Sequence, residues 1–266
     1  MIAVEIPDFC VEQIANSGQC FRINRLGTEN IWRVVAFGAS LLVEKLENSH
    51  VFHCSREEYE NVWVDYFDVR RNYGAIKKNI LKLKDPYLSA AIAYGSGIRI
   101  LRQDLWEVVV SFIISQRNSI VRIKNTIEKL CSPYGNDFPS PLILAKYDEK
   151  MLASIGLGYR SKYLLHIARA VDSGKFDMKY LRNLNCREAI DYMKQFSGIG
   201  DKVANCIALY GLHKLDAFPV DTWIARTVER QYGGNFSTEN FPAYAGVVQQ
   251  YMFFFRRHLG KSVHRQ

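Results

Sequence analysis

The stretch that decides the fold runs from Met193 to Arg226 and reads MKQFSGIGDKVANCIALYGLHKLDAFPVDTWIAR. Gly198, Ile199 and Gly200 lie between two segments whose apolar residues recur at helical spacing. Two glycines around one apolar residue let the backbone turn sharply. Ile199 is then expected to plug the core between the two helices. The stretch therefore predicts a helix, a tight hairpin and a second helix.

A hairpin of this kind can bring its amide N–H groups and the N-terminus of the second helix to a phosphate oxygen. An ordinary helix-to-helix turn is the alternative for a lone Gly-Ile-Gly. The chain, however, carries 35 Lys and Arg against 27 Asp and Glu, a net charge of +8. Such an excess favours a polyanionic partner, because neutralising phosphates releases counterions. We therefore expect Gly198 and Gly200 to lie against DNA, although a hairpin alone names no reaction.

Two charged residues of the same stretch are candidate catalytic residues. Lys202 lies in the first turn of the second helix, where the helix dipole opposes a positive charge and favours the neutral, nucleophilic amine. Asp221 follows Pro219 and can cap a helix that begins at Thr222. A carboxylate held rigidly at a cap can also stabilise positive charge that develops on a reacting sugar. A solvated surface lysine and a purely capping aspartate are the alternatives.

The rest of the chain divides into an amino-terminal part with strands and a helical remainder. Residues 31–54 are rich in β-branched and aromatic residues, broken by Gly38 and by the polar residues 47–49, and predict an antiparallel meander. From Ser55, the sequence Ser-Arg-Glu-Glu predicts a capping box. Helical patterns follow over 59–69, 105–115, 120–130, 160–172, 187–196, 201–212, 222–231 and 239–258.

These patterns predict an α+β fold. A small N-terminal antiparallel β-sheet unit with helices is expected over residues 1–80, and a mainly α-helical body over residues 81–266. That body can split into two helical subdomains with a DNA cleft between them. Hydrophobic residues make up 48% and charged residues 23%, close to the globular average, which argues against disorder and fibrous repeats.

Composition also bears on the compartment. No apolar stretch approaches the roughly 20 residues that cross a bilayer, and the acidic N-terminus is unlike a targeting peptide. We therefore expect a cytoplasmic, nucleoid-associated protein without a membrane partner. The six cysteines include no Cys-x-x-Cys pair, which predicts free thiols and no metal site.

The hairpin, Lys202 and a Pro-Val-Asp block ending at Asp221, in this order, resemble the HhH-GPD superfamily of base-excision DNA glycosylases. Gly-Ile-Gly-Asp-Lys-Val-Ala-Asn-Cys together with Pro-Val-Asp resembles the 8-oxoguanine DNA glycosylase branch, and the resemblance runs from about Ser17 to Phe253. It implies a bifunctional glycosylase/lyase that flips 8-oxoguanine, and related oxidised purines, out of double-stranded DNA. It further implies a monomer that needs no metal or redox cofactor.

The resemblance also implies a base pocket. Ser17-Gly18-Gln19-Cys20-Phe21-Arg22 is similar to a block whose glycine carbonyl accepts a hydrogen bond from the N7–H that oxidised guanine has and guanine lacks. Gln249 would read the Watson–Crick edge of the base, and Phe253 would stack on it opposite Cys206. A core phenylalanine, a small buried cysteine and a turn glycine are the structural alternatives.

Two loops are similar to the family's DNA-contacting loops. Asn118 and Arg122 match a loop that fills the hole left by the flipped base. Arg117 departs from that pattern, since better-known members carry asparagine there, and this puts strict preference for opposite cytosine in doubt. Tyr159 resembles a residue wedged into the duplex, and Arg160 one that points at the orphaned base.

The implied reaction has Lys202 attack C1′ as the base departs, after which the Schiff base acidifies the C2′ proton and allows β-elimination. A monofunctional alkylpurine glycosylase would instead use Asp221 to activate water and would not need the lysine. Iron–sulfur members of the superfamily carry four cysteines after the catalytic segment, whereas no cysteine follows Cys206 here. A non-catalytic DNA-binding protein would bind DNA without forming a covalent complex.

Overall fold

The computed structural model of the protein describes residues 1–47 and 49–262, the last three by their backbone alone. Asn48, in the predicted polar break, lies outside the described residues. Within them, the amino-terminal part forms a five-stranded antiparallel sheet in the order β1-β5-β4-β3-β2. Its strands are β1 (Ile2–Val4), β2 (Ile23–Arg25), β3 (Ile31–Ala36), β4 (Ala39–Lys45) and β5 (His50–Phe52). The predicted meander is thus confirmed as β3 to β5, and the structure adds β1 and β2.

Alternation along the central strands places one face of the sheet in a small core. Trp32 and Val34 of β3 pair with Val43 and Leu41 of β4, and all four side chains are buried. Successive residues of a strand point to opposite faces, so this register buries one face.

Fifteen α-helices are assigned in the part of the chain that the structure describes. They are α1 (Val11–Asn16), α2 (Arg56–Glu58), α3 (Val64–Tyr66), α4 (Tyr73–Leu81), α5 (Pro86–Tyr94), α6 (Leu105–Ile114), α7 (Ile120–Cys131), α8 (Pro141–Ala145), α9 (Glu149–Ser154), α10 (Arg160–Asp172), α11 (Met178–Asn183), α12 (Cys186–Met193), α13 (Asp201–Tyr210), α14 (Thr222–Tyr232) and α15 (Ala245–Ser262). A π-helical segment, Tyr59–Trp63, joins α2 to α3.

Two local predictions need correction. Ser55 accepts a hydrogen bond from the Glu58 amide at 3.0 Å, but the Glu58 carboxylate accepts from the Trp63 indole instead of returning to Ser55, so only half of the capping box forms. The predicted helix over 239–258 begins instead at Ala245, after a 3₁₀ turn. Pro242 explains the delay, because a proline disfavours helical backbone at the residue before it.

The helical body packs around α6. Nine of its ten residues are buried, which agrees with its nearly all-round apolar sequence. The small core consists of residues between Ile6 and Phe67 together with Leu101, whereas Tyr73 and Ile80 of α4 belong to the large helical core. The domain boundary at residue 80 stays a prediction.

No helix within the described residues is long and apolar enough to cross a membrane. All six cysteines are free thiols.

Candidate active site and DNA-facing loops

The hairpin between α12 and α13 has the predicted plug, since Ile199 is 4% exposed. Its two glycines differ. Gly198 has φ +91°, and a Cβ there would lie 2.6 Å from the Cβ of Tyr163. Gly200 has φ −94°, and no heavy atom lies within 4 Å of a Cβ built there. The turn therefore requires glycine at position 198, whereas at position 200 the backbone conformation and the surrounding space would also accept alanine.

Lys202 is half-buried, and its amine faces the inside of the protein. Nζ donates a hydrogen bond to Ser115 Oγ at 3.3 Å and lies 5.1 Å from the centre of the Phe112 ring. Cys206 lies one turn further along α13, and the nearby Lys202 opposes the rise in the pKa of its thiol that burial causes. These contacts do not fit a solvated surface lysine.

Asp221 occupies the predicted cap. Its Oδ1 accepts hydrogen bonds from the amides of Trp223 at 3.0 Å and Ile224 at 2.8 Å, at the N-terminus of α14. Burial raises the pKa of Asp221, although these cap bonds and the nearby Lys202 oppose the rise. The arrangement holds a rigid carboxylate in the electrostatic field of the lysine, so capping and a catalytic role are compatible.

The predicted base-pocket residues converge from three segments. Gly18 has φ +78°, and a Cβ there would lie 3.1 Å from Phe253 Cε1, so the glycine backbone lies against that ring. Gln249 is 4% exposed, and its Nε2 donates to the Pro219 carbonyl at 3.1 Å. Among the described residues its Oε1 has no hydrogen-bond partner. A buried acceptor without a donor costs about 1–3 kcal/mol, and a donor on a bound base would remove that cost.

Cys206 is buried, and burial raises the pKa of its thiol to about 11, so the thiol is neutral. Its position opposite Phe253 across a stacked base stays a prediction.

The predicted DNA-contacting loops are tied together by Gln116. Its Nε2 donates to the Gly198 carbonyl at 2.9 Å, which connects it to the hairpin. Its own carbonyl accepts from Arg160 Nε at 2.8 Å and from the Tyr159 hydroxyl at 3.3 Å. Arg160 also donates to the Arg117 carbonyl. Arg160 therefore braces the loop, and its expected contact with an orphaned base stays a prediction.

The remaining loop residues differ in exposure. The side chains of Arg117 and Arg122 are exposed, and Arg117 has φ +46°, a left-handed conformation unusual for arginine. Asn118 turns back on its own loop, since its Nδ2 donates to the Ile114 carbonyl at 3.2 Å. Tyr159 is 46% exposed beside this loop, as a wedge residue requires.

Comparison with known proteins places this site in a family. Residues 1–109 match the family model of the 8-oxoguanine DNA glycosylase N-terminal domain, and residues 110–240 match that of HhH-GPD superfamily base excision DNA repair proteins. The chain belongs to the 8-oxoguanine DNA glycosylase family. Its members include N-glycosylase/DNA lyases, and the α+β architecture expected from the sequence is the family's.

Two solved structures of this family resemble the chain along almost its full length. One is MBOgg1 in complex with a low-affinity DNA ligand. Its sequence is 36% identical, the TM-score is 0.90, and the match covers 97% of this chain and 96% of the MBOgg1 chain. The other is the Clostridium acetobutylicum 8-oxoguanine glycosylase/lyase with double-stranded DNA containing cytosine opposite 8-oxoguanine, 34% identical with a TM-score of 0.88, covering 96% and 93%. The probable N-glycosylase/DNA lyase of Methanothermobacter thermautotrophicus is 29% identical over 97% of this chain and 96% of its own length.

Sequence reasoning assigned no individual role to three residues of this candidate site. Phe112 lies beneath the Lys202 amine, Ser115 accepts its hydrogen bond, and Gln116 joins the loops. Ser115 and Gln116 end an apolar helix, and that change from apolar to polar residues was the available signal. Phe112 carried none, because a ring within an apolar helix is ordinary core.

Proposed function

We propose that this chain excises 8-oxoguanine from duplex DNA and then nicks the strand through a Schiff base on Lys202. The observation that carries the proposal is the setting of that amine. It lies at the N-terminus of α13, above an aromatic ring, with a hydroxyl partner in Ser115 and the Asp221 carboxylate nearby. A solvent-facing lysine would have none of these.

The reaction begins when the damaged nucleotide leaves the stack, which costs a few kcal/mol. The Lys202 nitrogen then forms a bond to C1′ while the bond from C1′ to the base nitrogen breaks, and the base leaves with that electron pair. The Asp221 carboxylate stabilises the positive charge that develops on the sugar. Nζ then loses a proton, and the C1′–O4′ bond breaks with its electron pair leaving on O4′, which takes up a proton. The double bond that forms between C1′ and Nζ is the Schiff base.

The lyase step follows from the same intermediate. The Schiff base makes a C2′ proton acidic, and its removal expels the 3′ phosphate and breaks the strand. Water then releases the lysine. One amine therefore serves both steps, which is why we prefer this reaction to water activation by Asp221 in a monofunctional alkylpurine glycosylase.

Recognition of the lesion rests on the pocket wall. The Gly18 carbonyl would accept the N7–H of 8-oxoguanine, the unpartnered Gln249 Oε1 would accept from the Watson–Crick edge, and Phe253 would stack on the ring. The C. acetobutylicum relative, an 8-oxoguanine glycosylase/lyase in complex with double-stranded DNA that contains cytosine opposite 8-oxoguanine, supports this substrate.

The test is borohydride trapping on a duplex containing one 8-oxoguanine. The wild-type chain should form a covalent complex and release the base, and Lys202→Gln should do neither. Lys175→Gln, at an exposed lysine after α10, is the matched control and should trap as the wild type does. Tight binding without trapping or base release by the wild type would identify a non-catalytic DNA-binding protein instead. Base release without trapping would identify a monofunctional glycosylase.

Because its substrate is genomic DNA, we propose that the protein works at the nucleoid in the cytoplasm. We also propose that it acts as a monomer, which light scattering of the protein with and without a duplex would test.

A further inference from the structure

Side-chain hydrogen bonds fix the backbone on both sides of Gly18. Before it, Ser17 Oγ donates to the Ile14 carbonyl at 2.7 Å and accepts from Gln19 Nε2 at 2.9 Å. After it, the Gln19 side chain bonds to the backbone of Arg99 at 2.9 Å and of Leu101 at 2.8 Å. No hydrogen bond of the described residues ends on the Gly18 carbonyl oxygen. The carbonyl is therefore held by its neighbours and left available.

A further hydrogen bond to this backbone comes from a helix distant in the sequence. Gln250 of α15 is fully buried, and its Nε2 donates to the Ser17 carbonyl at 2.7 Å. Its Oε1 accepts from the hydroxyl of Tyr210, the last residue of α13. Tyr210 is 4% exposed, and burial raises its pKa well above 10, so the hydroxyl stays a hydrogen-bond donor throughout the working pH range.

This pair connects the Gly18 segment to the catalytic amine. Lys202 and Tyr210 are eight residues apart on α13, and residues four apart lie on the same face of a helix. The Tyr210 ring stacks on Phe112 with centroids 5.4 Å apart and an interplanar angle of 14°. The same Phe112 ring lies under the Lys202 amine. A continuous set of contacts thus runs from the amine through Phe112, Tyr210 and Gln250 to the Ser17 peptide.

We propose that Gln250 and Tyr210 are positioning residues that set the distance between the lesion-reading carbonyl of Gly18 and the Lys202 amine. This inference rests on the proposed function, in which Gly18 reads the N7–H of 8-oxoguanine. Neither residue touches the base or the sugar. They act by fixing the Ser17–Gly18 peptide, so that its carbonyl meets N7–H when C1′ is within reach of the amine.

The chemistry of the pair favours this role over simple core packing. An apolar pair could fill the same volume without the cost of desolvating an amide and a hydroxyl. Here each polar atom has a partner, and such a fully bonded network selects one backbone position.

The test separates base recognition from chemistry at the sugar. Single-turnover rates would be measured on a duplex with 8-oxoguanine and on one with a preformed abasic site, which has no base for Gly18 to read. Tyr210→Phe removes only the hydroxyl, and Gln250→Leu removes both bonds. We expect excision of 8-oxoguanine to fall about tenfold or more, the loss that follows misplacement of one recognition hydrogen bond. Strand cleavage at the abasic site should stay within about twofold of wild type, so the ratio of the two rates changes.

Tyr192→Phe is the matched control. Tyr192 is half-buried on α12, and its hydroxyl also bridges two groups, donating to the Lys175 carbonyl at 3.0 Å and accepting from the Asp177 amide at 2.8 Å. It should leave the ratio unchanged, because neither of these partners belongs to the Gly18 segment or to the backbone that holds it. Equal loss of both rates in Tyr210→Phe, or an unchanged 8-oxoguanine rate, would overturn the positioning role. Absence of 8-oxoguanine excision by the wild type would instead overturn the proposed function. If Gln250→Leu fails to fold, Tyr210→Phe alone decides.

Discussion

Replacing each hairpin glycine with alanine should affect the free energy of unfolding very differently at the two positions. Gly198→Ala places a Cβ 2.6 Å from Tyr163 Cβ and 2.7 Å from Tyr163 Cγ, at a backbone φ of +91°. The unfavourable backbone conformation costs about 1–2 kcal/mol for an L-residue. The overlap adds about 1–3 kcal/mol, since Cβ is fixed to the backbone and α10 must shift. The free energy of unfolding should therefore fall by about 2–5 kcal/mol.

Gly200→Ala is the matched control two residues away. Its φ of −94° suits alanine and nothing lies within 4 Å of the new Cβ. Alanine is a poorer N-cap than glycine, but it also lowers the entropy of the unfolded chain, and the two effects roughly offset. The free energy of unfolding should change by less than about 1 kcal/mol.

Thermal unfolding followed by circular dichroism measures both variants. At about 2–4 °C per kcal/mol for a chain of this size, Gly198→Ala should lower Tm by about 4–20 °C, and Gly200→Ala by no more than about 4 °C. If the two variants melt together, or if Gly198→Ala melts within about 2 °C of wild type, the steric reasoning is refuted.

Three further outcomes follow from the site. Asp221→Asn should keep the α14 cap and change the free energy of unfolding by less than about 1 kcal/mol, while single-turnover excision falls about 100-fold or more; unchanged excision would reduce Asp221 to a cap. Burial raises the pKa of Glu107 from 4.5 to about 7 against the opposing charge of Arg22, so the folded chain holds a proton that the unfolded chain releases and stability falls as pH rises between these values. Glu107→Gln carries no such proton and should not show this fall. The free energy of unfolding of the variant minus that of the wild type, measured with urea, should therefore be larger at pH 8 than at pH 5, by up to about 3 kcal/mol. The same difference at both pH values would contradict the assignment. Arg117→Asn should raise the free energy of unfolding by about 0.5 kcal/mol, because asparagine tolerates φ +46°. The same variant should prefer cytosine opposite the lesion more strongly than the wild type, whose excision rates opposite cytosine, adenine and thymine should differ less than tenfold. A strong preference for cytosine in both proteins would refute this role of Arg117.

Local sequence patterns were sufficient for much of the fold. Enrichment in β-branched and aromatic residues indicated the segment of β3 to β5, a nearly continuous apolar run indicated α6, and apolar residues at helical spacing indicated α7 and α13, because such local patterns depend on how much of an element is buried and on which face. Where a local pattern such as the capping box allowed two side-chain contacts, the sequence alone did not determine which of them forms. The Glu58 side chain could return to Ser55 or meet Trp63, and only packing decided for Trp63.

The candidate site divides in the same way. Lys202 at a helix N-terminus and Asp221 at a cap could be singled out from the sequence alone, because the helix dipole and cap geometry act within one turn. The partners that make them reactive or precise come from far away along the chain. Ser115 is 87 residues from Lys202, and Gln250 is 233 residues from Ser17.

Only the tertiary structure could bring such residues together. Which glycine of the hairpin is indispensable depends on Tyr163, and the bracing role of Arg160 depends on the Gln116 and Arg117 carbonyls. These roles follow from the packing of helices and loops against each other, and the helical or strand period of a segment carries no information about which partner it will meet. The sequence thus determined most of the elements and the candidate catalytic pair, and tertiary packing decided the contacts that orient them.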